Sequence, residues 1–360
     1  MRRPETSDNA ISSGVTPEFA LIAKHFDRPA KKALLGVGDD CALWLPTAGQ
    51  TLAVSTDTLV SGVHFFANVD AAKLGHKALA VNLSDLAAMG ATPCVFTLAL
   101  SLPLALPPTL PPTLPPPLPP PLPRVDDAWL AGFAAGLFRL AAQHDIEVIG
   151  GDTTRGPLAI SITVIGEVDP RSALRRDRAR AGDDIWVSGD LGGASLALRR
   201  MGADGSNAGV SVALLEKLEL PQPRIALGTA LRGIAHAAID ISDGLVADLG
   251  HIASRSGLKA TVFWKDIPRH PALDDEALSV QQACALAGGD DYELCFSAPA
   301  SSRAAISGVA ERLGLPLSRI GSFSPGEAEV EVINVNGERL QLPTLGFDHF
   351  SAQRVTANEA

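Results

Sequence analysis

In residues 17–27, PEFALIAKHFD, the apolar positions Phe19, Ile22 and Phe26 recur at three- to four-residue spacing, which puts them on one helical face. Apolar, β-prone runs at 33–37 and 51–55 predict strands, Lys73 to Met89 predicts a helix of small apolar residues, and Cys94 to Leu100 predicts another strand. Further on, Leu130, Phe133, Leu137 and Leu140 keep helical spacing behind a cap at Asp126 or Asp127, so that helix should cover a sheet. EVIGGD and LAISITVIGEV supply two more strands before a charged turn, DPRSALRRDRARAGDD, which sets a domain boundary near Asp169: an N-terminal domain over 1–168 and a C-terminal one over 169–360. The second half opens with strand, glycine-rich turn and helix in DIWVSGDLGGASLALRRMG. AAIDISDGLVADLGHIASRSG repeats that order, with Ile239 and Ile241 on a strand and Leu245, Leu249 and Ile252 on a helix. CFSAP, VEVINVNG and SSRAAISGVAERLG complete the half. The predicted fold class is α/β followed by α+β, and the absence of a short internal period excludes a solenoid.

Composition narrows the function. A chain of 360 residues with 46% hydrophobic content has room for two cores. Forty acidic against thirty basic side chains give a net charge of −10, which argues against nucleic acid or an anionic membrane as partner. An anionic substrate would therefore need cations to escort it. Four cysteines without metal-ligand spacing, and no apolar leader in MRRPETSDNAISSG, predict a reduced cytoplasmic protein. The uncharged stretch from Leu86 to Pro123 is long enough to span a bilayer, but its prolines deny a helix its backbone donors. The insert at 102–124 reads as a polyproline II arm, either a docking ligand for a proline-reading partner or an inert expansion in a loop.

Candidate chemistry lies in a recurring placement of aspartate. Asp40, Asp57, Asp85, Asp152, Asp240 and Asp243 each follow an apolar stretch, although a lone buried carboxylate is costly. No P-loop string and no complete GxGxxG is present. Magnesium takes oxygen ligands, usually one or two carboxylates completed by waters and substrate phosphates, and short side chains at strand ends with neighbouring glycines suit that need. Ser55 and Thr56 add oxygens beside Asp57. The competing structural reading makes Asp85, Asp127 or Asp243 a helix N-cap, and makes Asp39, Asp183 and Asp184 turn or solvated residues.

GDDCALW, AVSTDTLVSGVHF, HKALAVNLSDLAAMGATP, IGGDTTRGPL, AIDISDGLVADLGHIA, GGDDYELCF and the terminal GFDHF together resemble the thiamine-monophosphate kinase family over almost the whole chain. The resemblance implies the aminoimidazole ribonucleotide synthetase-like fold, with an N-terminal sheet that pairs across a homodimer. It implies transfer of the γ-phosphoryl of ATP to thiamine monophosphate. It also implies magnesium at Asp40, Ser55, Thr56, Asp57, Asp85, Asp152, Asp240 and Asp243, and ATP at Gly151, Asp152, Arg176 and Ser242. The thiamine substrate falls to His64, Asp290 and Phe347. Asp85 is then expected as a metal ligand at the head of a short helix. The family pattern has Glu where this chain has Asp290, and tyrosines where it has His144 and Phe347.

The acceptor implied is a phosphate monoester, largely ionised at neutral pH, so neither a covalent nucleophile nor a general base is expected. What the reaction needs is positioning and charge neutralisation. Two other functions remain compatible with the residues: a synthetase of the same fold that works through a phosphorylated intermediate, and a non-catalytic magnesium-nucleotide sensor.

Overall fold

The computed structural model describes residues 17–103, 125–342, 344 and 346. Most of the proline insert and Phe347 lie outside the described residues. The chain opens with helix α1 (Pro17–His25), a small hairpin of β1 (Ala33–Leu35) and β2 (Leu43–Trp44), and the long strand β3 (Thr51–Val60). Helix α2 (Ala71–Ala88), β4 (Thr92–Leu102), α3 (Asp127–Gln143), β5 (Glu147–Arg155) and β6 (Ala159–Val168) follow. Their four-stranded sheet has the order β3-β6-β4-β5, antiparallel except for the β4–β5 pair that α3 bridges.

The second half comprises β7 (Asp183–Ser188), α4 (Gly193–Arg200), α5 (Val212–Glu219), α6 (Ile225–Ala230), β8 (Ala237–Asp240), α7 (Leu245–Ser256) and β9 (Lys259–Phe263). It ends with α8 (Leu278–Ala287), β10 (Leu294–Pro299), α9 (Arg303–Leu313), β11 (Leu317–Ser324) and β12 (Val330–Ile333). These strands form a six-stranded sheet, ordered β12-β9-β11-β7-β10-β8.

Helix α2 joins the two halves. Asp70 caps it by accepting from the Lys73 N–H (3.0 Å), and no proline interrupts the chain until Pro93, so the helix runs past Asp85 to Ala88. Asp85 therefore stands in the last turn of a long helix, not at the head of a short one. One side of α2 lies on α3. There a Cβ added at Gly75 would sit 2.0 Å from the Phe133 carbonyl oxygen, and one at Gly136 would sit 1.8 Å from that of Ala72. The crossing is closer than any larger residue permits. On another side, α2 packs against α6 and β8 of the second half.

Asp183 and Asp184, expected in a solvated turn, are instead the first residues of β7 and are buried. The pairing of β7 between β10 and β11 draws them in. Burial is tolerated because each finds partners: the Ser297 hydroxyl, the Arg180 N–H and His236 for Asp183, the forked guanidinium of Arg303 for Asp184. Asp126 caps α3, while Asp127 pairs with Lys24 and His25.

Gly136→Ala should lower stability by roughly 1–3 kcal/mol through steric overlap, although alanine favours an isolated helix by about 1 kcal/mol. Urea unfolding checks this; an unchanged midpoint would show that the crossing has slack.

Candidate active site

Strand β3 alternates. Ser55, Asp57 and Leu59 face α2, whereas Thr56 turns its hydroxyl to the opposite face and shares a hydrogen bond with Thr163 (2.8 Å). The Asp57 N–H donates to Asn82 Oδ1 (3.0 Å), and the Ser55 hydroxyl donates to Asp85 Oδ2 (2.5 Å). Helix α2 presents Lys73, Lys77, Val81 and Asp85 at four-residue spacing along one face. From the second half come Asp240 at the end of β8, then Ser242 and Asp243 in the turn before α7. The Asp248 carboxylate holds that turn by accepting from the Ser242, Asp243 and Gly244 N–H groups (3.0, 3.0 and 3.1 Å). Asp290 and Tyr292 close the far side.

These groups line one cavity of about 970 Å³ between the halves. It contains Thr56, Asp57, His64, Asp85, Asp240, Ser242, Asp243 and Asp290. Ser55 reaches it only through Asp85. Arg176 is exposed, and its charge favours the ionised forms of Asp85 and Asp240. A second cavity, of about 650 Å³, takes Asp40, Gly151 and Asp152, with Ile22 and Phe26 on its wall. Three strand spacings separate Asp57 on β3 from Asp152 on β5, about 14 Å, so within one chain these two carboxylates do not share an ion. Gly151 has a structural reason of its own: its φ is +154°, and a Cβ there would lie 1.8 Å from the Leu98 carbonyl oxygen. His144 is the half-buried residue that ends α3.

The electrostatics of the larger cavity are unbalanced. Burial, then the charge of Asp85, raises Asp57 to about 6. Burial and Asp85 raise Asp240 to about 8. Burial also raises Asp85, partly offset by the Ser55 hydrogen bond, and the negative end of the α2 dipole acts in the same unfavourable sense. Asp248 is pushed to about 7 by burial and by Asp243. Ionising this group at neutral pH calls for added positive charge. The donors are all oxygen, which suits a hard divalent ion. Among the described residues no three acidic, histidine or cysteine side chains converge closely enough to hold a metal by themselves. An all-oxygen donor set of this kind is of the type magnesium takes, with waters and substrate phosphates usually completing its shell.

Sequence reasoning passed over several groups. Lys77 is buried and ion-paired to Asp290 (3.1 Å), Lys73 pairs with Glu219 (2.6 Å), and Tyr292 donates to Asp290 (3.2 Å). A signal for Lys77 did exist, as the lone cation in the apolar run KALAVNL. Nothing in the local sequence pairs it with a residue more than 200 positions away.

Both halves match models of the AIR synthase related proteins, the N-terminal domain over residues 38–168 and the C-terminal domain over 180–333, which defines the class of the chain. Thiamine-monophosphate kinase of Salmonella typhimurium is 43% identical over 93% of this chain and 98% of its own. The solved thiamine-monophosphate kinase of Stenotrophomonas maltophilia superposes with a TM-score of 0.74 at 46% identity, over 89% of this chain and 96% of that one. A structure of AaThiL complexed with AMPPCP and TMP superposes with a TM-score of 0.66 at 29% identity, over 85% and 89%. The chain belongs to the thiamine-monophosphate kinase family.

Asp240 carries a raised folded-state value, so its ionisation opposes folding as pH climbs from about 4 to about 8. In metal-free protein, Asp240→Asn should match the parent near pH 4 and exceed it by roughly 2 kcal/mol at pH 8, a discounted fraction of the shift at about 1.4 kcal/mol per unit. Urea titrations at both pH values test this, and an advantage that shrinks with pH would contradict it.

Proposed function

We propose that this protein transfers the γ-phosphoryl group of ATP to thiamine monophosphate, giving thiamine diphosphate by direct in-line displacement. The observation that carries the reading is the cavity between the halves, where carboxylates pushed up by burial, two lysines and a histidine surround a space large enough for a phosphate ester. The family membership and the ligands named for AaThiL support the same conclusion.

Asp57, Asp85, Asp240 and Asp243, with oxygens of Ser55 and Thr56, would hold magnesium in the larger cavity, and Asp40 and Asp152 would do so in the smaller. Magnesium bound there would bridge phosphate oxygens and neutralise charge in the transition state. Arg176 and Ser242 would meet the nucleotide phosphates, Arg176 as a planar donor fork, and Gly151 would let ATP approach the backbone. His64 accepts from the Val60 N–H through Nδ1 (3.0 Å), which fixes its proton on Nε2 and makes it a donor toward substrate. Asp290 and Phe347 complete the thiamine subsite. The acceptor phosphate is its own nucleophile, so the aspartates act as scaffold.

The larger organisation follows the same reading: an N-terminal domain, 1–168, that binds ATP and metal, and a C-terminal domain, 169–360. Among the described residues strand β3 has one edge unpaired, and it exposes Leu52 and Val54, features that favour pairing with a second copy in a homodimer. Four unpaired thiols suit a reducing cytoplasm. Among the described residues no helix is long and apolar enough to cross a membrane.

Release of ADP dependent on thiamine monophosphate, with thiamine diphosphate as co-product, tests the reading. Asp85→Asn and Asp243→Asn should each lower kcat about 100-fold or more while leaving the thermal midpoint within a few degrees. Normal turnover by either variant at limiting magnesium would remove the support for a metal scaffold.

A further inference from the structure

The cavity holds one arrangement that the proposed chemistry does not yet use. Lys77 lies in the middle of α2 with its side chain 6% exposed, and its ammonium meets Asp290 Oδ1 at 3.1 Å. Burying a lysine between apolar neighbours of the helix is costly, and an aliphatic residue would fill the position at lower cost. Among the described residues that line the cavity, Lys73 and Lys77 are the only lysines or arginines, and Lys73 is engaged by Glu219.

The two members of the pair differ in freedom. Asp290 sits in a loop fastened on every side. Its N–H donates to the Ser242 carbonyl (2.9 Å), and the Tyr292 N–H donates to that of Ile241 (2.8 Å). The Asp291 carboxylate accepts from the Gly192 N–H (3.0 Å), and Glu293 is forked by Arg224 and receives the Ser188 hydroxyl. Asp290 and Tyr292 both hold left-handed backbone, φ +68° and +49°, a conformation that aspartate tolerates better than most residues do. The carboxylate is thus a fixed feature of the wall. Lys77 is anchored only at its α-carbon and has a flexible four-carbon stem. Along the same helix face, Asp85 and the acidic group stand eight residues away, about 12 Å at 1.5 Å per residue.

Thiamine monophosphate carries a permanent thiazolium cation and an anionic phosphate. A permanent cation arriving at Asp290 replaces the charge that Lys77 supplies, and the displaced ammonium then lies between that carboxylate and the acidic end where the phosphate must go. Resting on the kinase reading above, we propose that Lys77 is an exchange partner: it neutralises Asp290 in the empty site, yields it to the thiazolium ring, and pairs with the acceptor phosphate. The pair thereby favours ligands that carry both charges over thiamine, which has only the cation.

Calorimetric binding of thiamine and of thiamine monophosphate, each without nucleotide, to the full-length protein and its variants tests the exchange. The parent should prefer the phosphate ester. In Lys77→Met that preference should fall about 10-fold or more, mainly through weaker binding of the ester, because thiamine needs only Asp290. Lys77→Arg should retain most of the preference. Asp290→Asn should weaken both ligands but thiamine more, so the preference rises. A merely structural role for the pair would weaken both ligands together and move neither ratio. An unchanged ratio in Lys77→Met would overturn the exchange while thiamine diphosphate synthesis by the parent left the kinase reading standing. If Lys77→Met does not fold, the Asp290→Asn ratio decides alone. A parent that neither binds the ester nor makes thiamine diphosphate would overturn both.

Discussion

Negative charge buried at the seam between the two halves is the constraint around which the rest of the molecule is organised. Asp57 on β3, Asp85 on α2 and Asp240 on β8 are drawn toward one cavity by three different elements; burial raises all three, and the charge of Asp85 makes Asp57 and Asp240 harder still to ionise. A structure selected for stability alone would place apolar residues at these positions. Their cost is offset elsewhere by a closely packed frame, in which α2 lies against α3 at glycine distance and against β8 and α6 of the other half.

That frame explains why the site is precise. Asp85 and Lys77 occupy a helix held on two sides, so their backbone positions depend on the packing of both cores. The turn that carries Ser242 and Asp243 is fixed by three N–H donors to one buried carboxylate, Asp248, and the Asp290 loop is hydrogen-bonded to that turn in its own right. Rigid presentation of charged groups is what the proposed phosphoryl transfer by positioning and charge neutralisation would require.

The distribution of carboxylates over two cavities adds a feature that the count of aspartates conceals. Asp40 and Asp152 stand apart from the other four because β5 is the far edge of the sheet from β3.

Much of this was legible in the sequence. Hydrophobic spacing located α1, α2 and α3 and the main strands, because amphipathic periodicity is a local property that burial of one face imposes. Aspartates after apolar runs singled out six carboxylates, of which the fold brings Asp57, Asp85, Asp240 and Asp243 to one cavity and leaves Asp40 and Asp152 in another. The helix predicted over Lys73 to Met89 already put Asp85 near its end, against the expectation of a place at the head of a short helix; what local pattern did not reveal is that Asp183 and Asp184 are buried in β7, because that depends on where neighbouring chain packs. The β3 alternation that separates Thr56 from Ser55 and Asp57 was present in the sequence, but its meaning required knowing which face α2 covers. The meeting of Lys77 with Asp290 was decided by tertiary structure alone: the two are far apart in sequence, and only the docking of one half on the other brings an ammonium and a carboxylate within 3.1 Å.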